Sequence, residues 1–171
     1  MKSYSLLHMY KTVYELNEPK HFSSDNRQAF CDLLVKQAKV TNPTIEKVNR
    51  CSLLCICMFD NKIVSIGAIK PKTKSDFSSN KANLNNLQND FELELGYCFT
   101  LPDHTGQGHS SKIVDILINR IGHVNLMAST ELRANNSMVG ILVRRGFKQY
   151  GKPWKSTVHN GTLGLFLKFA R

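Results

Sequence analysis

The stretch 91–121 constrains this chain more than any other. It reads FELELGYCFT, then the turn LPDHTGQGHSS, then KIVDILINRI, which is a strand, a glycine-bearing turn and an apolar helix. Gly106 and Gly108 fall between the strand end and the helix start. Glycines there let the backbone turn sharply and leave N–H groups free beyond the helix N-terminus. Orphan donors and the positive end of the helix dipole act together on a phosphate or pyrophosphate. A phosphate-bearing ligand is the expectation this turn raises.

At 171 residues the chain reads as one domain, 1–171, with enough length to bury a substantial core. Hydrophobic content of 42% and charged content of 21% are ordinary for a soluble globular protein. No apolar run reaches the ~18 residues of a membrane span. The opening MKSYSLLHMYKTVYEL lacks the sustained apolar core and small-residue cleavage site of a signal peptide, so it is read as mature protein. Cys31, Cys51, Cys55, Cys57 and Cys98 are odd in number, and three lie in or beside apolar strands. Reduced thiols in a cytoplasmic protein are expected. No CxxC and no paired His motif completes a metal site, so no metal is expected.

Along the chain, residues 3–16 begin with a strand. Residues 23–38 have the spacing of a helix, with Phe30, Leu33, Leu34 and Ala38 recurring and Ser24 or Asp25 as cap. Residues 41–50 form a shorter helix with Pro43 near its first turn. Two β-branched runs, 52–59 and 62–70, join through Asp60-Asn61, a hairpin signal. Residues 71–90 are a polar excursion of a length that is usually mobile or functional, with a helical turn near 84–87. After the strand 91–100 and the helix 109–121 come a strand at 123–129 and a helix at 136–145 closed by Gly146. Strands at 147–151 and 162–169 end the chain, with a loop at 151–161 between them. The order β-α-α-β-β-β-α-β-α-β-β describes an α/β (α+β) domain with a mixed sheet, without the regular alternation of a Rossmann fold.

The net charge of +10 is lopsided. No Asp or Glu follows Glu131, whereas Arg133, Arg144, Arg145, Lys148, Lys152, Lys155, Lys168 and Arg171 do. Such a field favours an anionic partner, whether cofactor phosphates, nucleic acid or an acidic protein, and serves equally as a solvated surface. Trp154 with Lys152, Pro153 and Lys155 reads either as a base-stacking cluster or as a cover over the end of the sheet. The lysines Lys70, Lys72, Lys74 and Lys81 add a second candidate contact surface.

The glycine turn is neither a Walker A loop, which needs GxxxxGK[ST], nor a GxGxxG fingerprint, because Ser111 stands at the third glycine. Together with RANNSMVGILVRRGF, however, it resembles the GNAT acyltransferase superfamily. That superfamily closes on N-x-x-A-x-x-L-Y-x-x-x-G-F, and Asn135, Met138, Ile141, Leu142, Gly146 and Phe147 fall at those spacings. Its loop P-x-x-[RQ]-x-x-G-x-[GA] is matched by Pro102, Gly108 and Ser110, with Thr105 at the Arg/Gln position. The two motifs stand in the family's order and separation, and the resemblance covers nearly the whole chain. It implies a GNAT-like mixed, mostly antiparallel twisted sheet flanked by helices.

The resemblance also implies acetyl-CoA as co-substrate and a primary amine as acceptor, whether a small molecule, a peptide or a protein. Backbone N–H groups of Thr105, Gly106, Gln107, Gly108, His109 and Ser110 would cradle the pyrophosphate. The strand edge carrying Tyr97, Cys98 and Phe99 would bond the pantetheine amides, and Asn135 or Asn136 would meet the cofactor from the facing helix. Two departures stand out: Thr105 replaces a side chain that supports the loop, and Leu142 replaces the Tyr that in many members protonates the departing thiolate.

Attack on a thioester needs a neutral amine and therefore a base. Glu92 and Glu94 lie two apart on the strand and share a face; both are candidate bases, and a solvated edge or an ion pair is the structural alternative. Tyr97 and Tyr150 are candidate acids, with packing against Phe147 the alternative for Tyr150. His104 and His109 flank the loop as surface histidines or phosphate sensors. The expected function is an acetyl-CoA-dependent N-acetyltransferase. The alternatives are a transferase for a nucleic-acid-bound acceptor such as aminoacyl-tRNA, with RNA or tRNA held by the basic C-terminal segment, and a non-catalytic CoA- or nucleic-acid-binding module. A monomer or homodimer is expected, with no membrane association.

Overall fold

The computed structural model describes residues 11–132 and 136–170. Its strands are β1 (Thr12–Asn17), β2 (Leu53–Phe59), β3 (Lys62–Pro71), β4 (Leu93–Thr100), β5 (Leu126–Glu131), β6 (Lys148–Lys155) and β7 (Thr162–Lys168). Its helices are α1 (Ser24–Gln37), α2 (Ile45–Asn49), α3 (His109–Ile121) and α4 (Asn136–Val143). The strands form one sheet in the order β1-β2-β3-β4-β5-β7-β6. Neighbours run antiparallel except β4 and β5, which are parallel. The element order and the mixed, mostly antiparallel sheet agree with the sequence expectation.

Local chemistry accounts for much of this. Asp60 and Asn61 both sit in the left-handed region, at φ 50° and 62°, the geometry of the tight turn that matches strand twist. Ser23, rather than Ser24 or Asp25, caps α1: its Oγ accepts from the Asn26 N–H at 3.1 Å. Thr44 caps α2 in the same way through the Lys47 N–H, so that helix starts later than Pro43. β5 also starts late, because the Val124 N–H donates to Gly122 O in a turn.

The sheet is covered on both faces, and strand alternation divides the core accordingly. Leu54 and Ile56 of β2 pack with Phe30, Leu33 and Leu34 of α1. Leu53, Cys55 and Cys57 face Ile113, Val114 and Leu117 of α3. Cys55 and Cys57, two apart on β2, share this core face, and both thiols are fully buried.

Two departures from the sequence reading shape the site. The excursion 71–90 is packed: it forms 3-10 turns at Lys74–Phe77 and Asn85–Asp90, and Phe77 and Ala82 are fully buried. Ala82 O accepts from the Lys152 N–H, which ties the excursion to β6. The expected loop 151–161 is half strand. β6 bulges at Gly151 and resumes to pair Trp154 with Leu163, burying the Trp154 ring with Phe77, Phe91 and Met127. No helix among the described residues is long and apolar enough to cross a membrane.

Candidate active site

β4 is the organising element. Its first residues pair with β5 at Leu93–Leu126 and Glu94–Met127, and there the pairing stops. Among the described residues the β4 edge from Leu95 to Thr100 has no strand partner on that side, while β5 continues alongside β7. The two strands thus open into a wedge, one wall of which is, among the described residues, a β4 edge without ladder bonds on that side. The other edge of β4 bulges: Gly67 of β3 stands against both Tyr97 and Cys98. Tyr97 is at φ 57°, a conformation that costs a non-glycine residue about 1 kcal/mol or more. Gln37 at the end of α1 donates from Nε2 to Cys98 O at 3.1 Å, fixing the bulge from the helix side.

The turn after β4 is built as the glycines require. A 3-10 turn at Pro102–His104 leads to Thr105, whose Oγ1 donates back to Pro102 O at 2.8 Å. Gly106 and Gly108 then take φ 75° and 79° with open space where a Cβ would stand, so it is the backbone sign that calls for glycine. Among the described residues the N–H groups of residues 106–110 meet no acceptor. The Thr105 N–H is directed at Pro102 O instead.

His109, expected at the surface, is 5% exposed. Its Nε2–H donates to Gln107 Oε1 at 3.1 Å, and its Nδ1 accepts from the Tyr14 hydroxyl at 2.7 Å. Burial, helped by the nearby His104, holds its pKa below the usual imidazole value. The ring is a neutral strut between the loop and β1. Ser110 Oγ lies 2.9 Å from Thr100 Oγ1, which lies 2.7 Å from the buried Ser65 hydroxyl, so the start of α3 is also tied to β3 and β4.

A cleft of about 380 Å³ opens at the wedge, lined by β4 from Glu94 to Cys98, β5 from Ala128 to Glu131, and Met138 and Leu142 of α4. The α1–α2 loop, the excursion and the β6–β7 loop complete its walls. Glu94 is 6% exposed. Its Oε2 accepts from the Thr73 N–H at 2.7 Å and from Lys70 Nζ at 2.6 Å. Among the described residues both bonds fall on Oε2, leaving Oε1 the freer oxygen.

Glu92 is elsewhere. It precedes β4, its side chain is 82% exposed, and it pairs loosely with Lys72 at 3.4 Å. Tyr97 and Cys98 line the cleft. The Tyr97 ring lies 5.4 Å from Lys70 Nζ, and burial, reinforced by Cys51 and Glu94, pushes its phenol up to about 12. Phe99 packs on the α1 side of the sheet. Asn135 and the side chain of Asn136 lie outside the described residues.

Sequence reasoning missed a second polar group in the cleft. Buried Asp76 accepts from Lys81 Nζ at 2.9 Å on one oxygen and from the Ser129 hydroxyl at 2.6 Å on the other. Glu131 of β5 meets Lys39 at 2.8 Å, and that contact holds its carboxyl below the usual range. The signal for Asp76 was faint: it is one acid inside the Lys-rich excursion. The basic C-terminal segment proves partly internal. Arg145 grips Asp115 of α3 through two bonds, 2.6 and 2.8 Å, and donates also to Ser111 O and Ile141 O. Trp154 is 7% exposed, with Lys81 Nζ 5.9 Å from its ring. A ring so covered is a wall of the cleft rather than a platform for bases.

No protein-family model matches the chain, and no curated protein matches it in sequence. Solved structures do match in shape. A chain of the NatC complex, solved with Gag peptide and CoA, superposes with a TM-score of 0.66 at 14% identity, covering 94% of this chain and 99% of that one. FeeM, an N-acyl amino acid synthase from uncultured soil microbes, gives 0.69 at 10% identity over 94% and 91%. Arabidopsis thaliana NAA60, in complex with a bisubstrate analogue, gives 0.65 at 8% identity over 92% and 98%.

Proposed function

We propose that this chain, whose fold is that of the GNAT N-acetyltransferases, transfers an acetyl group from acetyl-CoA to a primary amine. The observation that carries the reading is the β4 edge, which among the described residues is unpaired and lies between a loop of unspent N–H groups and the Glu94 carboxylate. An extended amide-bearing arm fits such an edge as an added strand would. A pyrophosphate fits the N–H groups of residues 106–110 at the α3 N-terminus. Met138 and Leu142 of α4 give the wedge an apolar wall suited to a thioester.

The thioester supplies an acyl carbon open to attack; the chain supplies position and a proton acceptor. Glu94 suits the acceptor role better than Asp76. Asp76 has both oxygens engaged, whereas among the described residues Glu94 keeps Oε1 free for an amine proton or for a water that relays it. As the C–N bond forms and the C–S bond breaks, the amine proton passes to Glu94 and the electron pair leaves on sulfur. Tyr97 is a poor acid here. Its phenol, pushed up to about 12 by burial, lies above a thiol of about 8.5, so proton transfer to the thiolate is uphill. The thiolate is then protonated by solvent after departure.

The test is to supply acetyl-CoA with a panel of amines and follow free thiol together with label in the amine. Thiol release that depends on an added amine supports the reading. Absence of binding by any acyl-CoA at millimolar concentration sinks it, and binding without turnover of any amine marks a non-catalytic module.

A further inference from the structure

We propose that the acceptor is a small primary amine that carries its own anionic group, a carboxylate or a phosphate, held by Lys47 and Lys155. This rests on the transferase reading and names its substrate class. Charged side chains of both signs line the cleft. Each carboxylate there has its own lysine: Glu94 has Lys70, Asp76 has Lys81 and Glu131 has Lys39. Lys47 and Lys155 line the same cleft and, among the described residues, bond only neutral oxygens. Lys47 donates to Thr41 O, and Lys155 donates to the Thr162 hydroxyl at 3.1 Å. The cleft therefore carries surplus positive charge, which attracts an anion and repels a second cation.

The same cleft also offers acceptors suited to the amine. Gln37 gives its Nε2–H to Cys98 O, and its Oε1 is buried with no partner among the described residues. A buried amide oxygen left unpaired is costly, and a substrate N–H relieves that cost. Gln37 and Glu94 thus offer acceptors to the nitrogen, while the two lysines offer charge to the anion. The cleft, about 380 Å³ and shared with the acyl arm along β4, leaves room at the small-ligand scale for a metabolite-sized amine.

The experiment compares matched amines by kcat/KM: β-alanine against β-alaninamide, and phosphoethanolamine against ethanolamine, with spermidine as a polycation. The expected result is a preference of about tenfold for the anionic member of a pair, the scale of two partly screened charge contacts. The pair with the larger ratio identifies carboxylate or phosphate. The preference collapses in the K47M/K155M double variant, whose acetyl-CoA affinity and circular dichroism establish that it folds. Equal or better use of the neutral amines or spermidine overturns the proposal, as does a preference untouched by the double variant or acetylation of aminoacyl-tRNA alone.

Binding is read independently from the emission of Trp154, the chain's one tryptophan and part of the cleft wall. Anionic amines that perturb it in a chain that binds no acyl-CoA leave the anion site standing while the transferase reading fails. No response to any of them, in a chain that does turn over amines, removes the anion site and leaves the transferase reading intact.

Discussion

Replacing Glu94 by Gln separates the proposed base from its structural surroundings. In the wild type, Oε2 takes bonds from the Thr73 N–H and Lys70 Nζ, with side chains only 8% and 12% exposed for Glu94 and Lys70. A glutamine keeps an oxygen in the Oε2 position for both donors and puts an NH2 in place of the freer Oε1. The bonds that hold the excursion against β4 survive, while the proton acceptor disappears. Loss of a positioned base costs ~10²–10⁴ in rate, which is ~2.7–5.5 kcal/mol of transition-state stabilisation. Neutralising one partner of a half-dry pair, with its hydrogen bonds kept, costs ~1–3 kcal/mol of stability. That is a Tm loss of roughly 2–12 °C at this chain length. Steady-state kinetics at 25 °C, well below the transition, therefore isolate the chemical effect.

The pH profile adds a readout that a structural role would not move. Without the base only the free neutral amine reacts, so log kcat/KM of the variant climbs with unit slope toward the amine's own pKa, near 10.4 for a lysine-like amine. The wild type levels off earlier. A variant within about threefold of wild type, with the same profile, refutes the assignment and moves the base elsewhere in the cleft.

Two further perturbations probe the frame. A methyl on Gly67 would stand 2.5 Å from Ile113 Cγ2 and 3.3 Å from both Cys98 Sγ and Leu117 Cδ1, so Gly67→Ala wedges α3 from the sheet. The expected cost is ~1–3 kcal/mol with a loss of acyl-CoA affinity, since α3 carries the loop; a Tm within about one degree of wild type contradicts the packing. For His109 the folded pKa lies below the ordinary ~6.5, so the unfolded chain binds the extra proton first. Stability is then full above ~6.5 and falls as pH drops from there toward the folded value. Denaturant melts of His109→Asn between pH 7.5 and 5 should start lower and lose that slope; an unchanged slope assigns it to another group.

What could be read along the chain was the local part. The Asp60-Asn61 turn, α3 and the paired glycines announce themselves within a few residues, because backbone sign and helical spacing are short-range properties. The bulge at Tyr97 does not, since its cause lies across the sheet, where Gly67 leaves room for two residues to oppose one. Asp76 stayed hidden for a similar reason: its partner Ser129 is 53 residues away, and Lys39 meets Glu131 across 92. Alternation put Glu92 and Glu94 on one face, but only Glu94 lies within β4; Glu92, just before the strand begins, turns to solvent. Trp154 looked like part of a loop because Gly151 and Pro153 flank it, yet the bulge they form brings it back to pair with Leu163. Charge counts misled as well, because Arg145 spends its guanidinium inside the fold.

The central claim is that the β4–β5 wedge and the loop of residues 106–110 hold an acyl-CoA. Calorimetric titration of the chain with acetyl-CoA, beside Gly108→Val, tests it most directly. Gly108 sits at φ 79°, where a β-branched residue is strained, so the variant distorts the N–H cradle and leaves the wedge in place. One-to-one binding of roughly 1 μM–1 mM, weakened about tenfold or more by the substitution, is the predicted result. No saturable heat at millimolar acetyl-CoA, or equal affinity for both proteins, contradicts it.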